Sequence, residues 1–203
     1  MDTYKTISSP AQGVYKEKGS RFLAFAYPVS TTDEVKVLVD EKRREYHDAR
    51  HVCYAYMLGA ARTDFRANDD GEPSGTAGRP ILGQLNTNEL TDTLIIVVRY
   101  FGGILLGASG LAVAYKTAAA EAIAAANIVE KVVETHFNIT CQYAQLSRVL
   151  RLVKEQQLRL VSQQQTDICT LHVAVRQSIA DALKKRLSEM AFEGISFEEI
   201  KNE

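Results

Sequence analysis

Tryptophan is missing from the 203 residues, proline occurs four times, cysteine occurs three times, and neither sign of charge prevails. The 24 Lys and Arg side chains nearly balance the 25 Asp and Glu side chains, which excludes a general electrostatic grip on nucleic acid. Cys53, Cys141 and Cys169 lie far apart in strand-like segments, a pattern typical of reduced, buried thiols in the cytosol. We therefore predict a cytoplasmic protein in which any nucleic-acid contact comes from a local patch.

Long hydrophobic runs are also missing. The most apolar run, residues 93–98, is far shorter than the ~20 apolar residues that a membrane-spanning helix needs. Residues 1–10 are polar and contain no apolar signal core. We predict a protein that is neither exported nor embedded in a membrane. Apolar residues still make up 46% of the chain, which is enough to build hydrophobic cores.

The N-terminal part of the sequence predicts a mixture of strands and helices. A hairpin is expected at 14–17 and 21–27, and Thr31 with Glu34 forms a capping box for the helix that follows. A strand at 51–58 precedes a polar loop at 59–80. The β-branched run at 93–100 predicts a strand buried on both faces, and an alanine-rich helix is expected at 110–126.

The C-terminal part has a regular order. Strands are predicted at 136–143, 158–161, 168–175 and 195–200, with a glutamine-rich turn between the second and third. Two apolar-striped helices lie between the strands, and Ser178 with Asp181 suggests a capping box for the second helix. The β-α-β-β-α-β order indicates a ferredoxin-like domain. We predict an α+β protein with domains at residues 1–130 and 131–203.

Three kinds of chemistry can be considered for residues 69–116. Gly102 and Gly107 have the spacing of a phosphate-binding loop, but Ala108 stands where that loop needs lysine. Ser109 lies at a strand-to-helix turn, but Leu111 stands where a nucleophile elbow needs glycine. The acidic side chains of the 69–72 segment do not follow the spacing of a calcium loop and are typical of a turn. We therefore predict no catalytic residue, no metal and no cofactor.

The polar, glycine-rich segment at 69–78 is longer than most connectors, and long loops are often functional. Arg99, Tyr100 and Phe101 follow at the end of a strand beside two glycines. Such side chains suit a contact platform for a protein or a nucleic acid.

These segments resemble the IMPACT family, including its bacterial, YigZ-type branch. The resemblance lies in residues 19–22, 48–51, 69–78 and 98–103, and in Leu106, Gly107, Leu111, Ala114 and Tyr115. One departure is Ser109, where relatives more often carry glycine. The resemblance implies a first domain with a ribosomal-protein-type fold like domain IV of elongation factor G, and a second domain like that factor's ferredoxin-like domain V.

The resemblance also implies a role near translation and brings no established catalytic residues. The role of eukaryotic members in a kinase pathway is not carried over to this sequence. The candidate contact surface comprises His51, Asp69, Asp70, Gly71, Glu72, Pro73, Ser74, Gly75, Thr76, Gly78, Arg99, Tyr100, Phe101, Gly102, Gly103, Gly107 and Lys116.

The C-terminal part carries a second candidate surface. Residues 131–192 contain nine basic and five acidic side chains, which leaves a local excess of positive charge. The residues of this possible nucleic-acid patch are Arg148, Arg151, Lys154, Lys184, Lys185 and Arg186. A solvated helix face explains the same pattern.

Two functions of different classes remain open. The preferred hypothesis is a non-catalytic binding module that regulates translation by contacting RNA, the ribosome or a translation-associated protein. The alternative is a hydrolase of a small or peptidic substrate that uses the 69–78 loop. The sequence does not determine the oligomeric state.

Overall fold

The computed structural model describes residues 2–200, which form strands and helices in both parts of the chain. The strands are β1 (Thr3–Ile7), β2 (Ala11–Glu17), β3 (Ser20–Pro28), β4 (His51–Leu58), β5 (Asp64–Asn68), β6 (Thr93–Tyr100), β7 (Ile128–Val132), β8 (Glu134–Gln142), β9 (Arg159–Gln165), β10 (Ile168–Arg176) and β11 (Ser196–Ile200). The α-helices are α1 (Thr32–Glu45), α2 (Gly78–Thr87), α3 (Gly107–Ala124), α4 (Tyr143–Glu155) and α5 (Gln177–Glu189). This mixed architecture confirms the predicted α+β class.

The chain divides into two units between Lys131 and Val132. One unit consists of residues 4–131, and the other of residues 132–200 together with residues 2–3. Strands β1 and β7 pair as a two-stranded sheet. Neither strand was predicted, because both are short and lack a strong apolar pattern.

The first unit contains a five-stranded sheet with the order β2-β3-β6-β4-β5, in which neighbouring strands are antiparallel. The central strand β6 is buried on both faces, because its alternate side chains enter two different cores. Ile96 and Val98 pack with residues of α1 on one face. Ile95 and Val97 pack with residues of α2 and α3 on the other face.

The first helix begins as the sequence predicts. Thr31 accepts a hydrogen bond from the backbone N–H of Glu34, and the Glu34 carboxylate accepts one from the backbone of Thr31. This capping box satisfies two backbone donors at the start of α1. Val35 and Val39 then bury the apolar side of the helix.

The alanine-rich helix α3 packs directly onto strand β2. A Cβ added to Gly13 would lie 2.4 Å from the backbone nitrogen of Ala122, so the strand and the helix approach closely. Large side chains along this contact would hold the two elements apart, which explains why alanine is frequent there. The helix starts at Gly107, three residues earlier than predicted.

The expectation of a single polar loop at 59–80 is wrong. Strand β5 pairs along the edge of the sheet with β4, and α2 begins at Gly78. Strand β5 is mostly exposed and polar, so it lacks the alternation that marks a half-buried strand. Helix α2 contains Pro80 and Gly83, both poor helix formers, and forms because Ile81 and Leu85 are fully buried.

The second unit has the strand order β11-β8-β10-β9 and the chain order β-α-β-β-α-β, which is the ferredoxin-like arrangement. Its antiparallel sheet buries Phe137, Ile139, Leu171 and Val173 on the face that packs with α4 and α5. The predicted glutamine-rich turn is shorter than expected, because Gln163–Gln165 belong to β9.

The predicted capping box at the start of α5 is also wrong. The backbone N–H of Ser178 donates to the carboxylate of Asp2 over 3.0 Å, and the Ser178 hydroxyl donates to the same carboxylate. Asp181 instead lies near Lys184. The capping carboxylate is 176 residues away in sequence, so no local pattern reveals it. Among the helices within residues 2–200, none is long and apolar enough to cross a membrane.

Candidate functional site

The Asp69 carboxylate organises the 69–78 loop. It accepts hydrogen bonds from the backbone N–H groups of Gly75, Ala77 and Gly78 over 2.9, 3.0 and 2.8 Å. Burial by itself raises the pKa of Asp69, but these N–H groups together with the charge of Arg79 hold it below its ordinary value. Asp69 therefore closes the loop and caps the start of α2.

Asp70 ties the loop to the rest of the unit. Its carboxylate accepts hydrogen bonds from Arg43 over 2.6 Å and from the backbone N–H of Val52 over 2.7 Å. His51 Nδ1 lies 2.8 Å from the Asp70 carbonyl oxygen. A carbonyl oxygen only accepts, so Nδ1 carries the hydrogen and Nε2 is the acceptor in neutral His51.

Glu72 and Arg99 form a buried ion pair. Arg99 Nη1 donates to Glu72 Oε1 over 2.6 Å, and only 7% and 3% of the two side chains are exposed. The hydroxyl of Tyr115 donates to the same Oε1 over 2.8 Å, and the thiol of Cys53 donates to that hydroxyl over 3.3 Å. Burial raises the pKa of Tyr115 and the pKa of Cys53, so both groups stay protonated at neutral pH.

Arg99 enters this network because of its position on β6. It follows Ile95 and Val97 at a spacing of two, which places it on the α3 side of the sheet. Its guanidinium carbon lies 5.5 Å from the ring centre of Phe22 and 5.7 Å from that of Phe101. The two rings and Glu72 hold the guanidinium in one orientation.

A sharp turn after β6 directs the chain away from the sheet. A Cβ at Gly102 would lie 1.9 Å from the backbone carbon of Gly19, so only glycine fits there. The backbone N–H of Gly102 donates to the Ser20 hydroxyl over 3.1 Å. This close approach fixes the start of the 101–106 loop against the turn between β2 and β3.

The two loops, the start of β4 and the start of α3 enclose a cleft of about 360 Å³. We call it the β6–α3 cleft. Its polar side chains come from β4, from the residue before it, from the 69–78 loop and from β6. Its apolar side chains come from both loops and from α3. The lining residues are Arg50, His51, Glu72, Pro73, Arg99, Phe101, Leu105, Leu106, Gly107, Ala108 and Leu111.

The mouth of the β6–α3 cleft is apolar. The exposed fractions of Phe101, Ile104 and Leu105 are 49%, 56% and 84%. Phe101 and Leu105 line the cleft, and Ile104 lies between them in sequence. Neighbouring exposed apolar side chains are typical of a binding surface. The cleft thus combines an apolar mouth with a buried, internally paired charge.

The structure brings several candidate contact residues together in this cleft, namely His51, Glu72, Pro73, Arg99, Phe101 and Gly107. Others shape the loops. Asp69, Gly75 and Gly78 take part in the loop's hydrogen bonds, Gly71 and Gly103 have positive φ angles, and Thr76 donates its hydroxyl to the Pro73 carbonyl. Ser74 is exposed.

Two of the candidate contact residues lie elsewhere. The hydroxyl of Tyr100 donates to the Asp48 carboxylate over 2.7 Å, and Tyr100 does not line the cleft. Lys116 is exposed on α3 and is likewise absent from the cleft lining. Tyr100 is one residue out of phase with Arg99 along β6, which explains its separation from the cleft.

Sequence reasoning missed other lining residues, above all Arg50, Leu105, Leu106 and Leu111. Arg50 and Leu106 entered only through the family resemblance, Leu111 entered through it and as a mismatch to the nucleophile elbow, and Leu105 was not singled out. Apolar residues between glycines in a loop were the available signal for a binding mouth. The pairing of Glu72 with Arg99 and Tyr115 could not be found this way, since the three residues lie on separate elements.

The groups that the hydrolase alternative would use are buried or are engaged in other contacts. Cys53 has a raised pKa and is buried, so it is a poor nucleophile. His51 Nδ1 contacts a backbone carbonyl, and no hydrogen bond within residues 2–200 joins His51 to Ser74 or Ser109. Each carboxylate of the 69–72 segment is hydrogen-bonded within the chain.

The C-terminal basic residues separate into two groups. Arg148, Arg151 and Arg186 line one depression of about 500 Å³, together with Leu152 and Met190. Each arginine lies beside a glutamate: Arg148 near Glu193, Arg151 near Glu155 and Arg186 near Glu189. Lys184 instead lies 2.8 Å from Glu199, while Lys154 and Lys185 are exposed.

Comparison with known proteins agrees with this two-part organisation. The family model of the Impact N-terminal domain matches residues 18–123. A model described as a domain of unknown function, DUF1949, matches residues 139–191.

Similar proteins cover nearly the whole chain. The IMPACT family member YvyE of Bacillus subtilis is 30% identical over 94% of this chain and 88% of its own. The IMPACT family member YigZ of Escherichia coli is 30% identical over 94% of this chain and 95% of its own. A crystal structure of a hypothetical protein is 29% identical, covers all of both chains and has a TM-score of 0.72. The chain therefore belongs to the IMPACT family.

Proposed function

We propose that this chain is a non-catalytic binding module that regulates translation by holding a protein partner in the β6–α3 cleft. The observation that carries this proposal is the apolar mouth formed by the exposed side chains of Phe101 and Leu105, next to the buried Arg99–Glu72 pair. Exposed aromatic and aliphatic anchors around an arginine are the composition of protein interface centres.

The charge of the cleft favours a protein over a nucleic acid. Binding to the phosphate backbone depends on Lys and Arg side chains that are free to neutralise phosphates. Glu72 already neutralises Arg99, and Tyr115 adds a further hydrogen bond to that carboxylate. Apart from Arg50 and His51, the remaining surface of the cleft is apolar and does not suit a hydrated backbone.

The translational part of the proposal comes from the family. The resemblance to IMPACT proteins implies a role near translation, and membership of that family supports it. We expect the partner to be a ribosomal protein or a translation factor.

A second candidate function is contact with RNA through the second unit. Arg148, Arg151 and Arg186 meet around one depression, which supports this candidate. Their ion pairs with glutamates are exposed, and exposed pairs are weak enough to open when a phosphate competes.

The two candidates differ in their response to salt and to mutation. Binding of the purified protein to purified bacterial ribosomes and to purified translation factors is measured from low to high KCl. The variant Leu105→Asp places a charge at the apolar mouth. The control Val37→Asp places a charge at an exposed position of α1, the helix that packs on the other face of the sheet. The triple variant Arg148→Ala, Arg151→Ala, Arg186→Ala removes the C-terminal arginines.

We expect Leu105→Asp to weaken binding about ten-fold or more, since an anchor at the centre of an interface dominates its energy. Val37→Asp and the triple variant should bind as the unaltered protein does, and binding should change little with salt. A steep loss of binding with salt that only the triple variant abolishes would favour the RNA contact. No binding to any ribosome or factor would overturn both.

A further inference from the structure

The N-terminus of α3 opens into the β6–α3 cleft. Leu106, Gly107 and Ala108 line the cleft at the first turn of this 18-residue helix. The helix has no side-chain cap, and its first turn contains no acidic residue. The first N–H groups of a helix lack partners within the helix and carry a partial positive charge. This end of the cleft therefore favours a negatively charged group.

Arg99 provides an independent indication of a missing ligand. Its side chain is more than nine-tenths buried and lines the cleft. Nη1 donates to Glu72, but Nε is buried and has no hydrogen-bond partner among residues 2–200. Buried N–H groups without an acceptor are rare in native proteins. The Arg99 side chain therefore keeps one unused donor in the wall of the cleft.

The charges that face the cleft are compatible with an anion. Arg50 and Arg99 are positive, His51 is close to them, and Glu72 is the carboxylate of the lining. Glu72 is engaged by Arg99 and Tyr115, while Arg50 is exposed. One arginine thus remains uncompensated beside the positive end of α3.

The other walls specify what accompanies the anion. Pro73, Phe101, Leu105 and Leu111 form an apolar surface next to the helix N-terminus. An inorganic anion or a phosphodiester would leave this surface without a partner. A ligand that carries an apolar group beside its negative charge would fill both halves of the cleft.

We propose that the β6–α3 cleft binds a carboxylate with an adjacent apolar side chain, the chemistry of a polypeptide C-terminus that ends in an aliphatic residue. The carboxylate accepts hydrogen bonds from the first turn of α3 and is attracted by the uncompensated charge of Arg50. The terminal side chain packs against Phe101 and Leu111. This inference rests on the proposed function, since it specifies which part of a protein partner the cleft receives.

The probe is the peptide acetyl-Ala-Ala-Leu with a free carboxylate, compared with its C-terminal amide and with inorganic phosphate. Each is titrated into the ¹⁵N-labelled full chain, and the backbone amide shifts of residues 107–110 are followed by NMR. We expect the acid to shift these amides and to bind at least about ten-fold more tightly than the amide or phosphate. Such a ratio corresponds to the loss of one charge-assisted contact.

Three variants locate the interaction. Arg50→Ala should weaken binding of the peptide acid several-fold and leave binding of the peptide amide unchanged, because Arg50 attracts only the charged carboxylate. Leu105→Ser should weaken binding of both peptides to the same extent, because it removes apolar contact with the ligand. Val37→Ser, on the face of the unit that carries α1, should change neither. Leu105 and Val37 are exposed, so these substitutions preserve the fold.

Equal binding of acid and amide, tighter binding of phosphate, or no shift at residues 107–110 would each overturn the carboxylate inference. These outcomes are separate from a failure of the proposed function. If Leu105→Asp abolishes binding to a translation component while acid and amide bind equally, the cleft is a protein interface without carboxylate recognition. If the acid binds selectively but no translation component binds, the carboxylate site stands and the translational role fails.

Discussion

The guanidinium of Arg99 donates to the carboxylate of Glu72 over 2.6 Å, from the central strand of the sheet to a loop 27 residues earlier in the chain. Both side chains are nearly inaccessible to solvent. The pair joins the 69–78 loop to β6 and forms the floor of the β6–α3 cleft. Its stability therefore determines whether the cleft exists.

We expect single substitutions in this pair to be strongly destabilising. Glu72→Leu or Arg99→Met should each lower the free energy of unfolding by about 3–5 kcal/mol, because each leaves one buried charge without its partner. The double variant should lose much less free energy of unfolding than the sum of the two single losses, since no isolated buried charge remains. Urea unfolding of the four proteins measures this difference. Additive losses would show that the two side chains act independently.

Asp69 should make stability depend on acidity. Its pKa in the folded protein lies below the ordinary value of 3.8, so its contribution is complete above that pH and is lost as the pH falls through the folded pKa. Asp69→Asn should lower the free energy of unfolding by about 1 kcal/mol at pH 7, because the amide offers one acceptor oxygen to N–H groups that meet both carboxylate oxygens.

The loss caused by Asp69→Asn should shrink as the solution becomes acidic, since the native carboxylate is then protonated too. Thermal unfolding of both proteins from neutral to acidic pH measures this trend. A difference that is constant down to the acid limit would show that the charge of Asp69 does not contribute.

Two glycines should respond in opposite ways to alanine. Gly102→Ala should cost at least about 2 kcal/mol, because the added Cβ would lie 1.9 Å from the backbone of Gly19 and cannot be accommodated without moving the turn. Gly83→Ala should raise the free energy of unfolding by about 0.5–1 kcal/mol, because a Cβ there meets nothing within 4 Å and alanine favours the helical conformation of α2. Chemical denaturation of each variant provides the comparison. Equal effects would mean that the close approach at Gly102 can relax.

The second unit should lose stability below neutral pH through a histidine pair. His136 Nδ1 lies 2.9 Å from His172 Nε2. Burial lowers the pKa of His136, and the charges of His172 and Arg159 lower it further. The charge of Glu134 raises this pKa but does not cancel the lowering. With a folded pKa below the ordinary 6.5, the stabilising contribution is complete above pH 6.5 and declines as the pH falls below it.

His136→Gln should therefore flatten the pH dependence of unfolding below pH 6.5. Hydrogen exchange of the β8 and β10 amides, measured at several pH values, reports the stability of this sheet. Thr170→Val serves as a control, since it changes β10 without removing a titrating group. An unaltered slope in His136→Gln would show that His136 does not titrate in this way.

Local patterns predicted the elements that depend on local interactions. The capping box at Thr31 and Glu34 was found because both partners lie within one helical turn. The strand at β6 was found because four β-branched residues follow one another, and the ferredoxin-like order followed from the alternation of strand and helix patterns. The family resemblance was confirmed by the match to residues 18–123.

Elements that depend on distant partners were missed. Helix α2 has weak intrinsic propensity and is stabilised by burial of Ile81 and Leu85. Ser178 is capped by Asp2 from the other end of the chain, whereas the sequence suggested Asp181. In both cases the deciding contact lies far away in sequence, where periodicity and capping rules carry no information.

The sequence alone determined the fold class and the ferredoxin-like order, because these follow from hydrophobic period and turn chemistry. It also indicated the 69–78 loop and the end of β6 as a candidate contact surface. Only the tertiary structure decided that Glu72 pairs with Arg99, that Tyr100 and Lys116 lie apart from the cleft, and that an apolar mouth surrounds the pair. The physical reason is burial: the energy of a buried charge depends on its neighbours in space, and those neighbours come from separate strands, loops and helices.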